Sequence, residues 1–131
     1  MSKSKLGRVQ LKIMRVLWRH GRANAREITD ALNENSEEQV AHSTVQTLLR
    51  KLEEKGSIGH DVEDRTFIFF PLVEEDCVTR SATRELVERV FGGDAAGLVA
   101  YLLKEERIPS KELEQLRQLI DERSAKRGRK S

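Results

Sequence analysis

The segment spanning residues 43–56 constrains this chain most. Val45, Leu48, Leu49 and Leu52 recur at i, i+3, i+4 and i+7, the spacing of a helix that buries one narrow face. Each of those side chains contributes roughly 1.5–3 kcal/mol when buried. The positions opposite them, Thr44, Gln46, Thr47, Arg50 and Lys51, are polar or cationic, and Ser43 sits at the N-terminal tip. No acid occurs from Ser43 to Leu52; Glu53 and Glu54 follow only at the far end. Lys55-Gly56 then supplies a cation and a glycine cap, which end a helix in the usual way.

The flanking sequence sets this helix in an order. Upstream, Val9, Ile13, Val16 and Leu17, widened by Met14 and Trp18, predict a first helix over about 9–20, stopped by Gly21. Asn24-Ala25-Arg26-Glu27 reads as an N-cap with a reciprocal acid, opening a second helix that turns Ile28, Ala31 and Leu32 inward. Residues 33–36 end it, and the polar stretch 37–42 is a connection. Downstream, strand-like runs at 57–62 and 66–70 flank a short turn at Glu63-Asp64-Arg65 and predict a hairpin. Pro71 closes the second run, as suits a sheet edge. Helical sequence follows. Residues 74–91 lack Gly and Pro and place Leu86, Val90 and Phe91 on one side, until Gly92-Gly93 breaks them. Asp94 caps a helix carrying Leu98, Val99, Leu102 and Leu103, and Pro109-Ser110 starts a last one with Leu113, Leu116, Leu119 and Ile120.

Three helices, a hairpin and three more helices predict a mainly α chain. The expected architecture is a winged helix-turn-helix domain over 1–72 (three helices plus a β-hairpin wing), a helical dimerisation domain over 73–124 and a disordered basic tail over 125–131. In the winged helix-turn-helix layout the third helix enters the DNA major groove and the hairpin touches the backbone. Gln pairs with adenine, Arg with guanine, and Thr offers a hydroxyl and a methyl to thymine. An acid on that face would repel phosphates. Two readings of the face stand at this point: a DNA-reading surface, or a solvated helix face belonging to a winged-helix protein-interaction module that does not bind DNA. Arg65 has two readings as well, a wing cation reaching a phosphate or a turn cation balancing Asp61, Glu63 and Asp64.

Charge is uneven along the chain. Residues 1–72 hold 12 Lys/Arg against 10 Asp/Glu, residues 73–124 hold 8 against 12, and residues 125–131 hold 4 against none. The front and the tail can approach a polyanion; the middle cannot. Cys77 is the single cysteine, so an internal disulfide and a multi-cysteine metal site are excluded, and a reducing compartment is indicated; Cys77 itself reads as a small buried residue. His20, His42 and His60 are scattered with no pair at ligand spacing, so neither a metal nor a cofactor is expected. No nucleophile–base set, glycine-rich phosphate loop or acid pair in an apolar setting points to an enzyme. Residues 1–5 are basic without an apolar h-region, and no run of about 18 apolar residues occurs. The expectation is a cytoplasmic protein with no stable membrane association.

Leu86, Val90, Phe91, Leu98, Leu102, Leu113, Leu116 and Ile120 form more apolar surface than three short helices bury alone. Pairing across a twofold axis would supply the missing partner; folding back on the first domain in a monomer is the alternative.

Four stretches together carry a family resemblance. They are Ile13-Met14-Arg15-Val16-Leu17-Trp18, then Ser43-Thr44-Val45-Gln46-Thr47-Leu48-Leu49-Arg50-Lys51-Leu52-Glu53-Glu54-Lys55-Gly56, then Arg65-Thr66-Phe67-Ile68-Phe69-Phe70-Pro71, and Phe91-Gly92-Gly93-Asp94. In this order, from about Leu6 to Glu122, the chain resembles the BlaI/MecI/CopY family, the penicillinase-repressor type of bacterial transcriptional regulators. The resemblance implies a homodimeric repressor on a palindromic double-stranded DNA operator, with Thr44, Thr47 and their neighbours reading DNA and the C-terminal helices holding the dimer. It also implies a membrane sensor-protease system as partner, which releases the repressor by cutting inside the dimer region. The matching stretch, Ala100-Tyr101-Leu102-Leu103, lacks the Asn-Phe pair of the well-known penicillinase repressors, and Gln46 replaces a basic or aromatic residue. The cysteine-rich C-terminal motif of the copper-responsive branch is absent.

Overall fold

A computed structural model describes residues 6–130, with side chains through Arg127. Its elements are α1 (Arg8–His20), β1 (Ala23–Asn24), α2 (Ala25–Asn33), α3 (His42–Glu54), β2 (Ile58–Glu63), β3 (Thr66–Pro71), α4 (Glu75–Phe91), α5 (Ala95–Glu105) and α6 (Ser110–Lys130). The chain divides into two compact units, one ending at Glu85 and one beginning at Leu86, so the divide falls inside α4.

Each helix in the first unit ends where its sequence requires. α1 stops at Gly21, whose φ of 84° suits glycine and whose N–H donates to the Leu17 carbonyl. α2 opens on a reciprocal cap: Asn24 Oδ1 accepts from the Glu27 N–H at 2.8 Å, and Glu27 Oε1 accepts from the Asn24 N–H at 2.8 Å. The connection 34–41 is clipped by Asn33, whose side chain accepts from the Val40 N–H at 2.7 Å and donates to the Val40 carbonyl at 2.9 Å. That clip fixes where α3 starts.

The core lies among α1, α2, α3 and the sheet: Ile13, Met14, Leu17, Ala23, Ile28, Val45, Leu49, Leu52, Ile58 and Phe69 are buried together. Ala31, Leu32 and Leu48 are half-buried at its margin, and Thr29 is buried on α2 beside Ile28. The sheet has the order β1-β3-β2 and is antiparallel throughout. Its first strand is absent from the sequence reading: Ala23 and Asn24 pair with Phe69 and Ile68, a two-residue edge too short to show an alternating pattern. β2 and β3 form the hairpin, with Glu63 opposite Thr66. After the hairpin the Trp18 indole N–H donates to the Val73 carbonyl at 2.9 Å, fastening the outgoing chain to α1.

In the second unit Asp94 Oδ1 caps α5 by accepting from the Gly97 N–H at 2.9 Å, and the Phe91 and Tyr101 rings meet edge-on at 6.2 Å. No described residue after Phe69 is buried. Two expectations therefore change. Cys77 is exposed, because α4 buries no residue in the single chain. The tail expected to be disordered continues α6 to Lys130: Ala125, Lys126 and Arg127 are strong helix formers, and no breaker precedes Gly128. Ser131 and the basic residues 1–5 lie outside the described residues. No helix among the described residues is long and apolar enough to cross a membrane.

Candidate nucleic-acid interface

α3 presents two sides. Val45, Leu49 and Leu52 are buried behind it. Ser43, Thr44, Gln46, Thr47, Arg50 and Lys51 are all exposed. The Thr47 hydroxyl donates back to the Ser43 carbonyl at 3.1 Å, leaving its methyl and an acceptor lone pair outward. The exposed face between Ser43 and Lys51 carries no carboxylate, and Arg50 and Lys51 make no ion pair among the described residues.

The predicted residues do not form one cluster. Gln46, Arg50 and Arg65 line an open cleft of about 690 Å³ between α3, the start of α2 and the hairpin, together with Arg26 and His42. Ser43, Thr44, Thr47 and Lys51 stand outside that cleft, on the outer side of α3. The face is thus a row of three hydroxyls (Ser43, Thr44, Thr47) with the cation Lys51, beside a trough lined by three guanidinium groups and the Glu53 carboxylate. Chemically such groups can pair with base edges or with phosphate oxygens.

The hairpin tip explains the placement of Arg65. Asp64 and Arg65 adopt φ of 50° and 66°, the left-handed pair of a two-residue hairpin turn. Asp61 and Glu63, the acids it might have balanced, are taken instead by Arg22, which reaches each at 3.0 Å and lies over the Phe70 ring at 5.6 Å. The hydrogen bond to Asp61 raises the Arg22 pKa above its ordinary value against partial desolvation, with Glu63 adding to the rise. Arg65 makes no ion pair among the described residues.

Sequence reasoning missed five participants. Arg22 neutralises Asp61 and Glu63 near the hairpin tip. Glu53, on α3, contacts His60 Nδ1 on β2 at 2.7 Å, and His60 stacks on Phe67 at 4.0 Å, tying the helix to the wing. Arg26 and His42 line the cleft. None was singled out by the sequence for this role.

Residues 6–122 match the family model described as penicillinase repressor. The chain belongs to the penicillinase repressor family. It is similar to the penicillinase repressor of Bacillus licheniformis, 26% identical over 113 residues that cover 86% of this chain and 87% of that protein. It is also similar to the methicillin resistance regulatory protein MecI of Staphylococcus aureus (strain N315), 23% identical over 112 residues, covering 86% and 89%. Among solved structures, the YusO protein of Bacillus subtilis aligns with a TM-score of 0.55 at 20% identity, over 95% of this chain and 79% of that one, a likeness of fold. Membership in the penicillinase repressor family accords with a winged helix-turn-helix followed by helices, and relatives in Bacillus licheniformis and Staphylococcus aureus are named as penicillinase repressors.

Proposed function

We propose that this chain is a sequence-specific DNA-binding transcriptional repressor that acts as a homodimer on a palindromic operator. The observation that carries the reading is the two-sided α3: Val45, Leu49 and Leu52 buried behind it, and an exposed face free of carboxylates in front. Ser43, Thr44, Gln46, Thr47, Arg50 and Lys51 are the proposed base and phosphate contacts, and Arg65 the proposed wing contact to the backbone. The exposed side chains of Leu86, Val90, Leu102, Leu113, Leu116 and Ile120, with half-buried Phe91 and Leu98, support a dimer surface. A second copy would cover them and set two α3 helices at matching half-sites.

Release by a membrane sensor-protease system would have to cut the 100–103 stretch, which is helical within α5, so cleavage requires that helix to unwind locally. Selection from a random duplex pool, followed by titration against salt, tests the DNA reading. A dimer that neutralises about 6–8 phosphates gives a log–log salt slope near −5 to −7. A flat response, or no enrichment of a twofold-symmetric sequence, overturns it.

A further inference from the structure

The cleft between α3 and the wing holds a histidine set up as a proton-linked contact. His42 is the first residue of α3 and is half-buried. Its Nδ1 lies 2.9 Å from Thr29 Oγ1 on α2. Thr29 is 4% exposed, and its hydroxyl also lies 2.8 Å from the Ala25 carbonyl one turn earlier. A hydroxyl has one proton. With that proton given to the Ala25 carbonyl, Oγ1 is left to accept, and the group that donates to it is an Nδ1–H of His42. The chain imidazole N–H to hydroxyl to carbonyl satisfies each partner when Nδ1 carries a proton. That leaves Nε2 as the nitrogen that gains or loses one. Nε2 makes no hydrogen bond among the described residues.

The surroundings indicate what Nε2 meets. The charged groups sharing the cleft are Arg26 from α2, Arg50 and Glu53 from α3, and Arg65 from the hairpin. The carboxylate of Glu53 is engaged by His60 at 2.7 Å, while the three guanidinium groups make no ion pair among the described residues. Such a trough suits an anion, and an anion beside Nε2 favours the imidazolium.

We propose that His42 is a phosphate-contacting residue, oriented by Thr29, that takes up a proton when duplex DNA enters the cleft and makes DNA affinity rise with acid. The proposal rests on the DNA-binding reading above. A phosphate beside Nε2 favours the protonated ring in the complex. Affinity is therefore greatest at the acid end and declines as pH rises, by at most about one proton per protomer.

The test is anisotropy titration of the full chain with the selected duplex at constant salt, across roughly pH 6 to 8, where imidazole titrates. The dissociation constant of the wild type should rise severalfold over that range, and His42→Gln should flatten the slope. Thr29→Val, close in shape and lacking the acceptor, should flatten it too while melting cooperatively. An independent reading comes from NMR of ring-labelled histidine: adding duplex should move the His42 titration to higher pH. Equal slopes in wild type and His42→Gln, or a His42 titration unmoved by duplex, overturn the proposal and leave the DNA reading intact. Failure of the wild type to bind any selected duplex at any pH instead sinks the DNA reading.

Discussion

Arg65 shows how a single residue can set turn geometry and charge against each other. Its φ of 66° is the left-handed conformation, which costs a residue with a Cβ roughly 1–2 kcal/mol and costs glycine nothing comparable. Asp-Gly is a preferred pair for this turn, so Arg65→Gly should raise the melting temperature by an amount equivalent to roughly 1 kcal/mol. The same change removes the wing cation and should weaken duplex binding evenly across sequences. A variant that is both less stable and equally tight on DNA would remove Arg65 from the interface. Arg50 is the complementary case, since it lies on α3 itself and faces the cleft. Arg50→Ala should weaken binding to the selected duplex by roughly 1–3 kcal/mol and relax preference at one base position. Even weakening across all sequences would mark it as a phosphate contact instead.

At the scale of elements, the two-sided pattern of α3 was legible because a helix repeats every 3.6 residues and Val45, Leu49 and Leu52 keep that period. The start of α2 was legible because Asn24 and Glu27 stand three apart. Asn24→Ala should remove the side-chain half of that cap, leaving the bond from the residue-24 backbone N–H to Glu27, and lower stability by about 0.5–2 kcal/mol in thermal or urea unfolding. No change in either would mean that β1 pairing and the Glu27 half hold the helix start. β1 itself, the Arg22 pair at Asp61 and Glu63, and the His60 contact to Glu53 were not legible. They join Arg22 to Asp61 across the domain and Glu53 to His60 between a helix and the following strand, and no periodicity along the chain encodes which side chains of different elements will meet.

At the scale of the molecule, the first unit owns a core and the helices from α4 onward hold no fully buried residue in the single chain. Leu116 and Leu113 are 39% and 42% exposed, and Val90 is 65% exposed, which is a large apolar area to leave in water. Leu116→Asp should convert a dimer to a monomer in sedimentation equilibrium and weaken binding to a twofold operator far more than to a half-site. An unchanged mass would take Leu116 out of the proposed interface. The first unit should keep its melting behaviour in that variant, because its core, from Ile13 to Phe69, includes none of those helices.

The order of elements, the caps and the apolar side of α3 follow from neighbours within a few residues of one another, and local spacing determined them. Which predicted contacts share a cleft was decided by folding. Gln46, Arg50 and Arg65 were brought beside Arg26 and His42, while Thr44 and Thr47 were left outside. That outcome depends on how α2, α3 and the hairpin pack on a common core. Burial, through the hydrophobic contacts of Val45, Leu49, Leu52 and Phe69, selects that packing, and it is a property of the whole domain rather than of any stretch of its sequence.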